Sequence, residues 1–171
     1  MSVRTWVAAV FTDEEASSPA GSGVLVADGQ VLTSAHVVPQ DGPCWVRFPL
    51  SDDAFTMFRA ECGGRRDEIE ADVALLALDR PQPPDVDPAP LARVKDAALL
   101  GTRWSAHGFP QGGSFATQAA GTVGAQAAYG WVALHTDSRH PLAQGFSGCG
   151  LWLFYDGAPS KGVLRGATTR P

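Results

Sequence analysis

Gly21-Ser22-Gly23-Val24-Leu25-Val26-Ala27-Asp28-Gly29-Gln30-Val31-Leu32-Thr33-Ser34-Ala35-His36-Val37-Val38 sets two aliphatic, β-branched segments on either side of Asp28-Gly29. An Asp-Gly pair between such segments is a strong two-residue hairpin signal, because the tight turn that matches strand twist needs φ > 0 at its centre. Strands are therefore expected over 22–27 and 30–33, and the hairpin delivers His36 just after its second strand.

Outward from this hairpin the chain keeps to short β-branched and aromatic runs between Gly, Pro, Asp and Ser clusters. Helical periodicity is never sustained over about a dozen residues, so the reading is all-β. Further strands are expected over 5–11, 44–49, 56–62 and 72–78, then over 102–108, 114–124, 130–136, 149–154 and 162–169. Between the two groups lies Asp79-Arg80-Pro81-Gln82-Pro83-Pro84-Asp85-Val86-Asp87-Pro88-Ala89-Pro90, whose prolines forbid ladder hydrogen bonds and favour an extended connector. The expected organisation is an N-terminal unit over 1–80, a linker over 81–98 and a C-terminal unit over 99–171. Antiparallel sheets of this size commonly close into small barrels, and two barrels side by side leave a cleft suited to a ligand.

A chain of 171 residues can bury a sizeable core without disulfides. Cys44, Cys62 and Cys149 are odd in number, lie far apart and lack the paired spacings of a zinc or redox motif. They read as small buried side chains in a reducing compartment, and no metal or cofactor is expected. The net charge of −5 comes with no basic run, which argues against nucleic acid or an anionic membrane as partner. The apolar runs are strand-sized, short of the roughly 20 residues a spanning helix requires. Met1 stands close before the apolar segment Thr5-Trp6-Val7-Ala8-Ala9-Val10-Phe11, leaving no room for a signal peptide, so the expected location is cytoplasmic.

Chemistry concentrates in Gln144-Gly145-Phe146-Ser147-Gly148-Cys149-Gly150, a glycine-flanked turn between hydrophobic segments with one serine at its centre. Flanking glycines let such a turn present Ser147 outward and aim main-chain N–H groups into the same space, where they can stabilise an oxyanion. A serine nucleophile needs a base, and the base an orienting carboxylate. The four histidines, at 36, 107, 135 and 140, all precede Ser147, which excludes the α/β-hydrolase order, and Cys149 stands where the nucleophile elbow wants glycine. The order His, Asp, Ser stays open.

Leu32-Thr33-Ser34-Ala35-His36-Val37-Val38 resembles the histidine motif of chymotrypsin-like serine peptidases, in particular the compact bacterial members related to heat-shock proteases. Glu70-Ala71-Asp72-Val73-Ala74-Leu75-Leu76-Ala77-Leu78-Asp79 is similar to the family's aspartate motif, and Gln144 to Gly150 to its nucleophile loop. Ala106-His107-Gly108-Phe109-Pro110 resembles the turn that opens the second barrel. The resemblance covers nearly the whole chain. It implies two packed antiparallel β-barrels of the six-stranded type, the second one strand short at the C-terminus. It also implies a serine endopeptidase with His36 as base, Asp72 as its orienter and Ser147 as nucleophile, acting through an acyl-enzyme with an oxyanion hole from the backbone of Gly145 and Ser147. A catalytically inactive module that binds peptide or protein is the alternative, since a fold does not guarantee a function.

Departures from the family pattern shape the remaining expectations. Phe146 occupies the place where digestive members hold an aspartate for a freshly cut N-terminal amine, so a partner or attached domain is the expected regulator. Cys149 is a rival nucleophile by chemistry, but two places past the serine in a strand it should point into the core. Trypsin carries an acidic residue six places before its serine, where this chain has Pro141. An apolar substrate side chain is therefore expected, with Gly166, Ala167, Thr168 and Thr169 lining its pocket and pairing with an extended protein or peptide substrate. His135, Arg139 and His140 leave room for an acidic or polar preference. Relatives continue past the strand matching 162–169 whereas the sequence stops at Pro171, which fits a module of a longer protein.

Overall fold

The computed structural model describes residues 4–68, 71–91, 99–110, 113, 115–126, 131–137, 139, 142–155 and 158–167, with Tyr155 and 158–167 through backbone alone. Eleven strands carry the described fold: β1 (Val7–Phe11), β2 (Gly21–Ala27), β3 (Gln30–Thr33), β4 (Cys44–Arg47), β5 (Phe58–Glu68), β6 (Ala71–Leu78), β7 (Arg103–Gly108), β8 (Thr117–Gln126), β9 (Val132–Thr136), β10 (Cys149–Tyr155) and β11 (Ala158–Ala167). The first six close into a barrel in the order β1-β2-β3-β6-β5-β4, and the other five form a sheet in the order β11-β10-β7-β8-β9. All pairings are antiparallel. The fold is thus all-β, with one closed six-stranded unit and a five-stranded second unit among the described residues, the arrangement the resemblance implies but for closure of the second unit.

The Asp28-Gly29 signal corresponds to a two-residue turn between β2 and β3, with Ala27 opposite Gln30 and Gly29 at φ +65°. Where sequence and structure part is β5. Gly63-Gly64 reads as the end of a strand, yet β5 continues to Glu68 because the register shifts between Cys62 and Gly64 and pairing with β6 resumes beyond the shift. Such a bulge absorbs an extra residue and re-aims the strand rather than ending it. Charged residues are tolerated in this arm because most of its β5 side chains are exposed.

β1 is buried along its whole length, so both of its faces are covered. Val10, Leu25, Val31, Val46, Phe48 and Leu76 pack in the barrel core, while Trp104, Phe146, Cys149, Leu151 and Leu153 belong to the core of the second sheet. Each large aliphatic or aromatic side chain so buried contributes about 1.5–3 kcal/mol relative to exposure. The two units meet where Trp6 stacks on Trp152 of β10, ring centroids 6.1 Å apart. No helix among the described residues is long and apolar enough to cross a membrane.

Candidate active site

Strand register brings the first two residues of the site together. Thr33, the last residue of β3, pairs with Ala74 of β6, so two residues further back along β6 Asp72 lies beside the chain that leaves β3. That chain turns at once through a single 3₁₀ turn, Ala35–Val37, which carries His36. Asp72 then grips His36 twice: Oδ1 accepts the His36 backbone N–H at 3.0 Å, and Oδ2 lies 2.5 Å from Nδ1 of the ring. An ionised carboxylate can only accept, so Nδ1 carries the hydrogen and Nε2 is the ring's remaining acceptor. The Asp72 side chain is 2% exposed and that of His36 45% exposed, so the carboxylate is enclosed while the imidazole faces solvent. The bulged arm adds support, since Arg65 of β5 donates to the carbonyls of Val38 and Pro39 just after the 3₁₀ turn, at 3.2 and 3.1 Å.

The serine turn sits against this same strand end. Gly145 and Gly148 have φ of +103° and +83°, a region that disfavours side chains. A Cβ on Gly148 would fall 2.2 Å from the Ser22 carbonyl oxygen, 2.4 Å from Thr33 Oγ1 and 2.9 Å from the Ser34 backbone nitrogen. The turn therefore abuts Thr33 and Ser34, immediately before the segment that carries His36. Ser147 is 3% exposed. Its carbonyl accepts the Ser22 N–H at 2.8 Å, while the Gly145 carbonyl accepts the Ser22 hydroxyl at 2.7 Å and the Phe109 N–H at 3.0 Å. Phe146 is fully buried, and a Cβ on Gly108 would fall 2.4 Å from its ring, so the turn is anchored by an aromatic plug.

The family model of the trypsin-like peptidase domain matches residues 21–158, most of the chain. The chain belongs to this family. No curated protein matches this trypsin-like peptidase domain. Among solved structures, the serine endoprotease from Yersinia pestis superimposes with a TM-score of 0.66 at 21% identity, covering 88% of this chain and 50% of that one. The domain thus spans about half the length of that structure's chain. Kallikrein-related peptidase 10 gives a TM-score of 0.70 at 20% identity over 94% of this chain and 79% of its own. Neuropsin, a serine protease from mouse brain, gives 0.64 at 21% identity over 91% and 79%. At these identities the likeness is one of fold.

The other expected site residues of this trypsin-like peptidase domain fall as follows. Gly166 and Ala167 lie at the end of β11, with Ala167 opposite Cys149, so that strand runs beside the serine turn. Pro141, His140, Thr168 and Thr169 are outside the described residues. Cys149 is fully buried in the core of the second sheet, as alternation along a strand requires. His135 and Arg139 are exposed. Among the described residues no cluster of three or more His, Cys, Asp or Glu is arranged to hold a metal.

Two features escaped the sequence reading. Arg4 reaches the second sheet, where it donates to Ser105 Oγ at 2.8 Å, lies 3.4 Å from His107 Nδ1 and sits 5.0 Å from the centroid of the Trp152 ring. Burial, followed by the charge of Arg4, pushes the His107 imidazole down to about 4. The other is Ser22, a buried serine with two partners, Gly145 and Ser147, more than a hundred residues away. Nothing local marks either residue, although a serine on a strand face otherwise lined by apolar residues is a usable hint.

Proposed function

We propose that this domain is a serine endopeptidase working through Ser147, His36 and Asp72. The observation that carries the reading is the double grip of Asp72 on the ring and backbone of His36, one turn of chain from the strand end against which the Ser147 turn packs. In the first step Ser147 Oγ bonds to the carbonyl carbon of the substrate as its proton passes to His36 Nε2. The negative charge moves to the carbonyl oxygen, where the N–H groups of Gly145 and Ser147 receive it. Collapse of this intermediate breaks the carbon–nitrogen bond, and His36 gives the proton to the departing amine. Water then repeats the sequence on the acyl-enzyme and releases the acid. Asp72 holds the imidazole in the required tautomer and stabilises it while charged.

The substrate in this reading is an extended protein or peptide. Among the described residues β11 is an edge strand, which supports pairing with a substrate added as a further strand along 166–169. Pro141 stands where trypsin carries an acidic residue, which favours an apolar substrate side chain at that subsite. With Phe146 as an apolar plug, control falls to a partner protein or attached domain rather than to a new N-terminal amine. Cys44 and Cys62 carry free thiols, which supports a reducing, cytoplasmic location.

The test is labelling with a fluorophosphonate. Wild type is expected to label on one residue, and Ser147→Ala to lose all labelling while its melting temperature stays within a few degrees. Labelling that survives this change rejects the assignment, and a well-folded wild type that never labels, alone or with cell extract, favours the inactive binding module instead.

A further inference from the structure

Ser22 lies on β2 of the barrel, is fully buried and makes three hydrogen bonds with a common direction of purpose. Its hydroxyl donates to the Gly145 carbonyl at 2.7 Å, its N–H donates to the Ser147 carbonyl at 2.8 Å, and its own carbonyl accepts the Thr33 hydroxyl at 2.6 Å. The first two partners belong to the second unit of the fold, and the third to the strand that leads to His36.

Peptide planarity turns these bonds into a statement about direction, because in each unit the C=O and N–H point opposite ways. The unit joining Gly145 to Phe146 is held by Ser22 Oγ and the Phe109 N–H at its oxygen and by the Ala143 carbonyl at its nitrogen, the last at 3.1 Å. The unit joining Ser147 to Gly148 is held at its oxygen by the Ser22 N–H. Between them lies the unit that carries the Ser147 N–H, whose oxygen accepts the Cys149 N–H at 2.9 Å. Ser22 thus clamps the peptide unit on each side of the Ser147 amide. Each of these two units directly follows a residue whose N–H would meet an oxyanion, so fixing them restrains the backbone rotation of Gly145 and Ser147 and confines the Ser147 N–H between two held units.

We propose that Ser22 is a positioning residue for the oxyanion hole, setting the aim of the Gly145 and Ser147 N–H groups from the opposite unit of the fold. The proposal rests on the serine-peptidase reading for its chemical consequence, and on the hydrogen bonds alone for its structural one. Thr33 extends the clamp, since its hydroxyl fixes the Ser22 carbonyl and its chain leads through Ser34 to His36. Donors aimed a few tenths of an ångström off lose part of a stabilisation whose full loss costs about 10²–10³ in rate.

Ser22→Ala in the full chain is the test, read in two ways. With a fluorophosphonate probe, the maximal rate of Ser147 modification is expected to fall about tenfold while the concentration for half-maximal rate stays within about twofold. The pH midpoint of that rate should not move, because the His36–Asp72 pair is untouched. Amide hydrogen exchange of residues 143–149 should quicken about tenfold, with β3 to β6 exchanging as in wild type. A wild-type chain that does not label defeats the peptidase reading, and exchange then decides the clamp by itself. Should Ser22→Ala not fold, Thr33→Val is read by the same exchange measurement. Unchanged exchange at 143–149 in the folded variant overturns the proposal, whatever the labelling shows.

Discussion

Asp72 does two jobs with one carboxylate, and they separate on mutation. Its Oδ1 holds the backbone of the 3₁₀ turn and its Oδ2 holds the ring. Asp72→Asn is nearly isosteric, so the bond to the His36 N–H can survive while the ring loses the acceptor that fixes its tautomer. The expected outcome is a melting temperature close to wild type with a fall of about 10⁴ in the rate of fluorophosphonate labelling. His36, Asp72 and Ser147 are legible in the sequence as candidates because each announces itself locally: a histidine after a hairpin, an aspartate opening an apolar strand, a serine between glycines. Ser22 is not readable, since nothing in the expected strand 22–27 singles it out and its partner carbonyls are set by a contact between the two units.

The serine turn is held by packing as well as by hydrogen bonds. Phe146 fills the space over Gly108 with no exposure, where a charged side chain would be stranded in the core of the second sheet. Phe146→Ala should lower stability by about 3–5 kcal/mol, the usual cost of a large aromatic lost from a core. Chemical denaturation checks the value, and Phe146→Leu should recover most of it. All eleven strands were legible from turn residues and β-branched runs, with ends displaced by a few residues. The exception is β5, where Gly63-Gly64 and the charged residues after it argue for a loop and pairing with β6 overrides them. Local preference loses there because the bulge lets β6 supply partners out to Glu68.

The contact between the units carries a pH dependence. Near neutrality the His107 imidazole is uncharged beside the Arg4 guanidinium, its pKa pushed down to about 4 from the ordinary 6.5. Between those values the unfolded chain binds a proton that the folded chain refuses. Stability contributed at this site is therefore complete above about pH 6.5, falls as the pH drops to about 4 and is level below. Allowing for partial exposure, the loss is about 2 kcal/mol. His107→Gln should shrink the fall in melting temperature between pH 7 and about pH 4 relative to wild type, measured by thermal scans.

The same contact region assigns the nucleophile a mechanical allegiance that its place in the chain conceals. Ser147 lies between strands of the second unit, yet its carbonyl and that of Gly145 are fastened to the wall of the first. Phe146 at the same time roots that turn in the core of the second unit, so the alcohol sits on a bridge with one footing in each half, and any change that shifts the halves against each other reaches it directly.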